Sequence, residues 1–294
     1  MKLSRYEILV KVVELGSISK AAEYCKYTQS AVSQIISNLE SEMSIALLNR
    51  SHAGITLTSD GEELFPHIRD IAHSYNRLSD KVFSMHGIES GIIRIGAYSS
   101  ISCHYLPPVI KAFKEQHPNI QFVSLQGDYR KTEEWVAEGV VDFGFVALPT
   151  RKEFNAIPII SDRMLALLPE DHHMADRDRV PLTLFAEEPV IFLQHGTQKE
   201  VTEAFRLNKI KPRVEYRTED DYAAMAMVES KLGISILAEL VLHRNPYRII
   251  TKETEPPFRR NLAVATYSKR RPTLVVQRFL SLLSEMIPQG LKLE

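Results

Sequence analysis

The chain has 294 residues, 44% hydrophobic and 25% charged, which suits about two globular domains of roughly 150 residues each. Its 36 basic and 37 acidic side chains give a net charge of −1. This value neither indicates nor excludes a nucleic-acid-binding protein, because binding depends on the local distribution of charge. Two cysteines, Cys25 and Cys103, exclude a disulfide framework, and no apolar run reaches the roughly 18 residues of a membrane span. With charges where a signal peptide would be apolar, we expect a cytoplasmic protein that does not bind membranes.

Residues 1–58 are predicted to form three short helices followed by a β wing. The second helix carries the small residues Ala21 and Ala22 on its inner face, and Thr28 is a favourable N-cap for the third helix. Two short helices joined by a tight turn are typical of a helix-turn-helix. Alternating apolar and polar residues at 55–58 then predict a short wing strand.

The outward face of the third helix carries short hydrogen-bonding side chains that suit base edges and phosphates in a major groove: Gln29, Ser30, Ser33, Gln34 and Ser37. The same side chains would also suit an ordinary solvated helix face, and the helix alone leaves both alternatives open. No charged residue occurs between Tyr27 and Leu39, so one copy should bind DNA weakly, because phosphate neutralisation supplies most non-specific affinity. DNA binding therefore requires an oligomer that multiplies the contacts.

A heptad pattern occupies the next segment, which we place at residues 59–90. Its apolar residues are spaced alternately four and three apart, with charged residues between them, in the order Leu64, Ile68, Ile71, Tyr75, Leu78 and Val82. Such a narrow seam favours a dimerising helix. The alternative is a helix packed on the C-terminal domain of its own chain. Glycines at positions 87 and 91 predict a hinge at the end of this segment.

Residues 91–294 alternate strand-like and helix-like runs, which is the pattern of an α/β domain. Apolar runs predict strands at 92–96, 120–126, 143–147, 165–168, 190–193, 214–217, 234–237 and 262–267. Helices are predicted between most of these strands, and a closing helix at 272–286. Because open α/β sheets bind ligands at the carboxyl edge of their strands, the turns at this edge are candidate binding segments.

Enzymatic signatures are absent from the C-terminal half of the sequence. His172 and His173 are adjacent in a charged loop, where solvated side chains are more usual than metal ligands, so we expect no metal site. No glycine-rich phosphate loop or nucleophile elbow occurs, so we expect no cofactor and no catalytic residue. Cys103 is interpreted as a small buried or half-buried residue, although a position in the first turn of a helix would lower the pKa of a thiol.

A specific motif identifies the chain as similar to the LysR-type transcriptional regulators along its whole length. The matching residues of the helix-turn-helix are Gly16-Ser17-Ile18-Ser19, Ala21-Ala22, Thr28 to Gln34, Ile36 and Leu39-Glu40. Those of the wing are Leu47-Leu48, Arg50, Gly54, Leu57-Thr58 and Gly61. The sequence departs from the family pattern at Ala53, where a second basic residue is common. This departure removes a contact to phosphate or the minor groove.

The resemblance implies a winged helix-turn-helix at 1–58, a long dimerising linker helix with its hinge at 59–90, and an α/β effector domain of periplasmic-binding-protein type at 91–294. The effector domain would have two lobes that the chain crosses twice, near 161–163 and 265–267. Lobe I would then comprise about 91–161 and 266–294, and lobe II about 162–265. The family further implies operator DNA as a partner, homodimers or homotetramers, contact with RNA polymerase, and a small molecule that controls transcription. Arg50 of the wing is expected on a DNA phosphate.

The turns at the carboxyl edges of the strands supply the candidate effector site, which comprises Ser99, Ser100, Ser102, Asp128, Gln194, His195, Thr197 and Thr218. Hydroxyls and amides at helix starts favour an anion, hence an effector with a carboxylate. The acidic side chains of Asp128 and Glu219 oppose this and would select an amine or a zwitterion, and the hydroxyls would also suit simple helix caps. The alternative to a regulator is a small-molecule binding protein whose N-terminal helices serve only oligomer assembly.

Overall fold

The computed structural model describes residues 3–51, 54–85, 91–194 and 198–287, and the chain forms two compact units, Met1–Gly91 and Ile92–Glu294. Across the described residues, no helix is both long and apolar enough to cross a bilayer. Each unit has hydrophobic clusters of its own.

The N-terminal unit consists of three short helices, a hairpin and one long helix. In chain order these are α1 (Arg5–Leu15), α2 (Ile18–Cys25), α3 (Gln29–Met43), β1 (Leu48–Ser51), β2 (Gly54–Leu57) and α4 (Ser59–Met85). The side chains of Ser4, Ser17 and Thr28 cap the first three helices by accepting a hydrogen bond from the N–H three residues later. The predicted helices and wing strand are confirmed. Strand β1, which pairs antiparallel with β2, was missed because three of its four residues are polar and exposed.

The long helix α4 packs against the N-terminal core, which corrects the predicted dimer seam. Ile68 is only 3% exposed and, with Ala72, belongs to the same hydrophobic cluster as the inner faces of α1, α2 and α3. Leu64 is half-buried against this cluster. These two seam positions therefore stabilise their own subunit, because a two-turn stretch of the heptad faces α1.

The C-terminal unit is built on one curled sheet with helices around it. Its first elements are β3 (Gly91–Ala97), α5 (Ser99–His104), α6 (Leu106–Gln116), β4 (Ile120–Gln126), α7 (Tyr129–Glu138), β5 (Phe143–Ala147), β6 (Phe154–Pro169) and β7 (Arg179–Pro181). Its remaining elements are α8 (Leu184–Glu187), β8 (Val190–Leu193), α9 (Gln198–Leu207), β9 (Val214–Thr218), α10 (Asp221–Glu229), β10 (Ser235–Ala238), α11 (Glu239–Leu242), β11 (Ile249–Glu255), β12 (Arg259–Tyr267) and α12 (Leu274–Met286). The strand order is β4-β3-β5-β12-β6-β11-β7, with β10 also paired to β6, and β8 pairs with β9.

Strand β6 belongs to both lobes of this unit. Residues 154–163 pair antiparallel with β12, whereas Met164 onward pairs with β10 on one side and β11 on the other. The change of partner falls next to Arg163, in the segment where the first crossing is predicted. Hydrophobic residues of β3, β5 and β12 form one core, and those of β10 with the second half of β6 form another. The α/β fold with two lobes is thus confirmed.

The predicted second crossing at 265–267 is wrong. Leu262–Ala265 pair with β5, and the side chains of Leu262 and Val264 are buried in the core that β3 and β5 share. All of β12 therefore belongs to lobe I, and the chain returns between β11 and β12. The family resemblance placed this return at the last residues of the strand, whereas the whole strand, from Arg259 to Tyr267, lies in lobe I.

Other differences from the predicted elements have local causes. Ser99, Ser100 and Ser102 lie in the short helix α5 rather than in an irregular turn. Strand β11 was missed because Thr251–Glu255 is polar, and its pairing partners, five residues of β6 and three of β7, are distant in the sequence. The first half of β6 was missed because Pro158 and several exposed residues interrupt its apolar pattern.

Candidate functional site

The first candidate site is the outward face of α3. Gln29, Ser30, Gln34 and Ser37 are exposed and Ser33 is half-buried, so all the predicted side chains except Ser33 face solvent fully. Gln34 Nε2 donates to Asn38 Oδ1 at 2.8 Å, and the Ser30 hydroxyl lies 3.1 Å from that of Thr28. Both are exposed contacts between uncharged groups, so a base edge can replace them at little cost.

Arg50 on the wing strand β1 is held against this helix. Its Nη1 donates to the Ser33 hydroxyl at 3.3 Å, and its Nη2 lies 3.5 Å from Glu40 Oε2. The side chain of Arg50 is 41% exposed, so the guanidinium keeps access to solvent. The predicted phosphate contact and the predicted base-reading helix are therefore adjacent in the structure.

Glu40 is a residue of this site that the sequence analysis did not single out for a role. Its Oε1 accepts hydrogen bonds from the backbone N–H groups of Leu47 and Leu48, at 2.9 and 3.1 Å, while its Oε2 faces Arg50. One carboxylate thus joins the end of α3 to the first strand of the wing. The sequence motif includes Glu40 directly after Leu39, but the hydrogen-bond partners of Glu40 depend on the position of the β hairpin.

Three of the basic residues in the described part of the N-terminal unit, Arg5, Lys11 and Arg50, form ion pairs. Arg5 forms an ion pair with Glu42, and Lys11 forms one with Glu14 at 2.5 Å. The exposed side chains of Lys20 and Lys26 make no ion pair with any residue that the structure describes. They lie in α2 and in the turn before α3, so they are further candidates for phosphate contacts beside Arg50.

The apolar residues of α4 divide into two groups. Ile71 and Leu78 are 43% and 57% exposed and are seven residues apart, so they share one face of the helix. Tyr75 and Val82 are half-buried. The part of the predicted seam that remains available to a second subunit is therefore Ile71, Tyr75, Leu78 and Val82.

The second candidate site is a cavity of about 310 Å³ between the two lobes of the C-terminal unit. Lobe I contributes residues at the start of α5 and the end of β4, and lobe II contributes residues from the end of β9 and the start of α10. The lining residues are Tyr98, Ser99, Ser100, Gln126, Gly127, Leu193, Glu219, Asp220, Asp221, Tyr222, Val241 and Arg260. Of the predicted effector-site residues, Ser99 and Ser100 line it.

A buried ion pair lies at the floor of this cavity, where the chain passes between the lobes. Arg260 is 2% exposed, and its Nε and Nη2 donate to Asp162 Oδ2 at 2.8 and 2.7 Å. Nη2 also donates to the Ser100 hydroxyl at 3.0 Å, and Asp162 Oδ1 accepts from the N–H of Leu240 at 3.1 Å. Burial alone lowers the pKa of Arg260, but Tyr129 and Asp162 raise it, so the guanidinium stays charged.

The buried hydroxyl of Tyr98 has no hydrogen-bond partner among the described residues, whereas the Tyr129 hydroxyl lies between Arg260 and Glu200 and interacts with both. The two tyrosine rings pack with centroids 4.7 Å apart. Burial raises the pKa of Tyr129 to about 12 and also raises the pKa of Glu200, although the positive charge of Arg260 acts in the opposite direction. Buried polar atoms without partners are costly, so they mark places where a ligand or water is needed.

The other predicted effector residues lie outside the described cavity lining. Asp128 caps α7 by accepting from the N–H of Lys131 at 2.6 Å, and the Thr218 hydroxyl accepts from the N–H of Asp220 at 3.2 Å. Gln194 is exposed and donates its backbone N–H to the carbonyl of Thr218. The Ser102 hydroxyl is buried without a partner among the described residues. His195 and Thr197 lie outside the described residues.

His172 and His173, which the sequence analysis considered as metal ligands, both lie beside Glu188. His172 Nε2 lies 2.8 Å from Glu188 Oε2, and His172 Nδ1 accepts from the N–H of Met174 at 3.1 Å. His173 Nδ1 lies 3.6 Å from Glu188 Oε1, so ligand atoms of His172, His173 and Glu188 lie within 4.8 Å of one another. Cys103 is exposed, so its interpretation as a buried residue is wrong, whereas Cys25 is buried.

Two family profiles match the chain. The profile described as "Bacterial regulatory helix-turn-helix protein, lysR family" covers residues 3–62, and "LysR substrate binding domain" covers residues 86–288. Together they span the elements that carry both candidate sites.

Relatives and solved structures agree with these profiles. The uncharacterized HTH-type transcriptional regulator YvbU of Bacillus subtilis is 27% identical over 289 residues, which are 97% of this chain and 99% of YvbU. A full-length OxyR variant from Pseudomonas aeruginosa has the same fold with a TM-score of 0.74 and 19% identity, over 98% of this chain and 97% of that one. Full-length CbnR complexed with its target DNA gives a TM-score of 0.65 and 18% identity, over 97% of this chain and 99% of that one.

Proposed function

Since the chain belongs to the LysR family of transcriptional regulators, we propose that its α3 face and Arg50 read operator DNA and that the cavity between its lobes binds the controlling effector. The protein is a regulator with an effector-binding domain, and its relatives are regulators rather than enzymes. Because the DNA of a bacterial cell lies in the cytoplasm, we place its action there.

The observation that carries the DNA-binding proposal is the adjacency of Arg50 and α3. The contact of 3.3 Å between Arg50 and Ser33 places a half-exposed cation beside an uncharged, exposed row of Gln and Ser side chains. A phosphate bound by Arg50 would fix the orientation of the duplex, and Gln29 and Gln34 would then read base edges. A glutamine whose amide oxygen accepts from adenine N6 and whose amide nitrogen donates to N7 discriminates by roughly 1–3 kcal/mol.

The exposed face of α4 supports assembly into a dimer. Ile71 and Leu78 would bury against the same residues of a second chain, with Tyr75 and Val82 at their sides. Two copies double the phosphate contacts, which the paired charges of one N-terminal unit do not supply alone. We further propose that dimers join into homotetramers and that the DNA-bound assembly contacts RNA polymerase.

The cavity supports the effector site, with Ser99 and Ser100 on one wall. The polar floor around Arg260 joins β12, the first half of β6, α5 and, through Asp162, the start of α11. A ligand that contacts both lobes here would favour one relative arrangement of the lobes over another. We propose lobe I at about 91–163 and 259–287 and lobe II at about 164–258, with a carboxylate-bearing effector.

A mobility-shift titration tests the DNA-binding proposal. The probe is the duplex that flanks the gene of this protein, and the affinity of the parent is measured at several salt concentrations. Arg50→Ala should weaken binding to all sequences and reduce the slope of log K against log salt by about one, because one phosphate contact is lost. Arg206→Ala, which removes an exposed arginine of α9, is the matched control. Equal affinity and slope for the parent and Arg50→Ala would contradict the proposal.

A further inference from the structure

The two walls of the cavity between the lobes differ in charge. On lobe II, the end of β9 and the start of α10 present three consecutive acidic residues, Glu219, Asp220 and Asp221, followed by Tyr222. On lobe I, the lining side chains of Tyr98, Ser99, Ser100 and Gln126 carry no charge. Arg260 is the one cation among the described lining residues.

Within the acidic wall, Glu219 keeps its charge available for a ligand. Asp220 Oδ1 caps α10 by accepting from the N–H of Ala223, but Glu219 is exposed and forms no ion pair with any residue in the described part of the chain. Tyr222 is 58% exposed beside it, so an aromatic ring lies at the edge of the negative wall. Carboxylates and an aromatic face are the groups that bind a protonated amine.

The opposite end of the cavity offers groups for an anion. Arg260 uses Nε and Nη2 for its hydrogen bonds to Asp162 and Ser100, and the Tyr129 hydroxyl is a further neighbour of the guanidinium. Tyr98 is 6% exposed and lines the cavity, and its buried hydroxyl has no partner within the described residues. A buried hydroxyl donor beside a guanidinium suits a carboxylate, which accepts from both.

We propose that the effector is a zwitterion, with a carboxylate bound near Tyr98 and Arg260 and a protonated amine bound by the acidic wall at Glu219. This assignment rests on the proposed function of the cavity and names the ligand class. A molecule of this kind would connect the two lobes, because its two charged groups bind residues from different lobes. An acid or an amine alone would contact one lobe well and the other poorly.

Thermal unfolding of the full chain with matched ligands tests this assignment. The panel consists of 4-aminobutyrate and the protein amino acids, each beside the acid that lacks its amine and the amine that lacks its carboxylate. For 4-aminobutyrate the partners are butyrate and butylamine. At least one zwitterion should raise the unfolding temperature more than both of its partners at equal ionic strength. If no zwitterion does so, or if a partner stabilises equally, the assignment is wrong.

Two variants then separate the ends of the ligand. Glu219→Gln should weaken binding of the zwitterion about tenfold, and Tyr98→Phe should do the same, because each removes a hydrogen bond to a charged group. Glu203→Gln on α9, which also removes an exposed carboxylate, should leave the affinity unchanged. Unchanged affinity in both Glu219→Gln and Tyr98→Phe would overturn the assignment. The mobility shift of the same preparation reports the proposed function separately, since DNA binding with no zwitterion effect contradicts only the ligand class.

Discussion

The buried pair of Arg260 and Asp162 should stabilise the C-terminal unit only while both charges are present. Asp162→Asn keeps the Oδ1 acceptor for the N–H of Leu240 but leaves a guanidinium that is 2% exposed without its counter-charge. Arg260→Met leaves Asp162 buried with that single backbone donor. Breaking a buried pair from one side costs about 3–5 kcal/mol of unfolding free energy, and we expect each variant in this range.

The double variant Asp162→Asn with Arg260→Met tests the reasoning, because neither buried charge remains. The loss of unfolding free energy in the double variant should be no larger than that of the more destabilising single variant. The two losses are then far from additive, which means that the two sites are strongly coupled. Urea unfolding followed by the fluorescence of Trp135, the one tryptophan of the chain, reports on the C-terminal unit. If the two single costs simply add in the double variant, the charges do not depend on each other and the interpretation is refuted.

Three further results are expected. Ile71→Asp should convert the oligomer to monomers in sedimentation, because the new charge would be buried unpaired in the dimer seam. His67→Asp, at an exposed position of the same helix, should leave the oligomer intact. An intact dimer of Ile71→Asp would place the seam elsewhere. Burial raises the pKa of Glu200, so its protonated form adds stability that is full below the unfolded value of about 4.3 and is lost as pH rises through the folded value. The unfolding free energy of the parent minus that of Glu200→Gln should therefore fall as pH rises through this window, and a flat difference would contradict it. One thiol, Cys103, should react quickly with a thiol reagent in the native protein while Cys25 is protected, and rapid reaction of both would contradict the burial of Cys25.

Much of the fold was predictable because it depends on local signals. Thr28 caps α3 as its position before an apolar stripe indicated, and the apolar runs at 120–126, 143–147 and 190–193 form strands with the predicted bounds. These elements depend on periodicity and capping, which neighbouring residues determine. Strand β11 has no such local signal, because Thr251–Glu255 is polar and its pairing depends on the distant strands β6 and β7.

The sites were predictable only in part, for the same reason. The outward face of α3 follows from helical periodicity, and Ser99 and Ser100 follow from their place after a strand. Arg260 carries no such signal: it adjoins another arginine at the start of β12, and only the pairing of β12 with β6 places it against Asp162.

The heptad in α4 shows the limit of a one-dimensional pattern. A spacing of four and three identifies an apolar face but not its partner, and here α1 of the same subunit covers Ile68 while Ile71 stays exposed. Only the burial of each residue in the folded unit distinguishes the residues that stabilise the subunit from those available to a dimer.

The measurement that tests the central claim most directly is selection of bound duplexes from a random DNA library, by the parent and by Gln29→Ala. The parent should enrich a site with two related halves, since a dimer presents two copies of α3. Gln29→Ala should enrich a site that differs at one position in each half, because an exposed base-reading side chain is lost. Enrichment of no sequence by the parent, or of identical sites by both proteins, would contradict the claim that this face of α3 reads DNA.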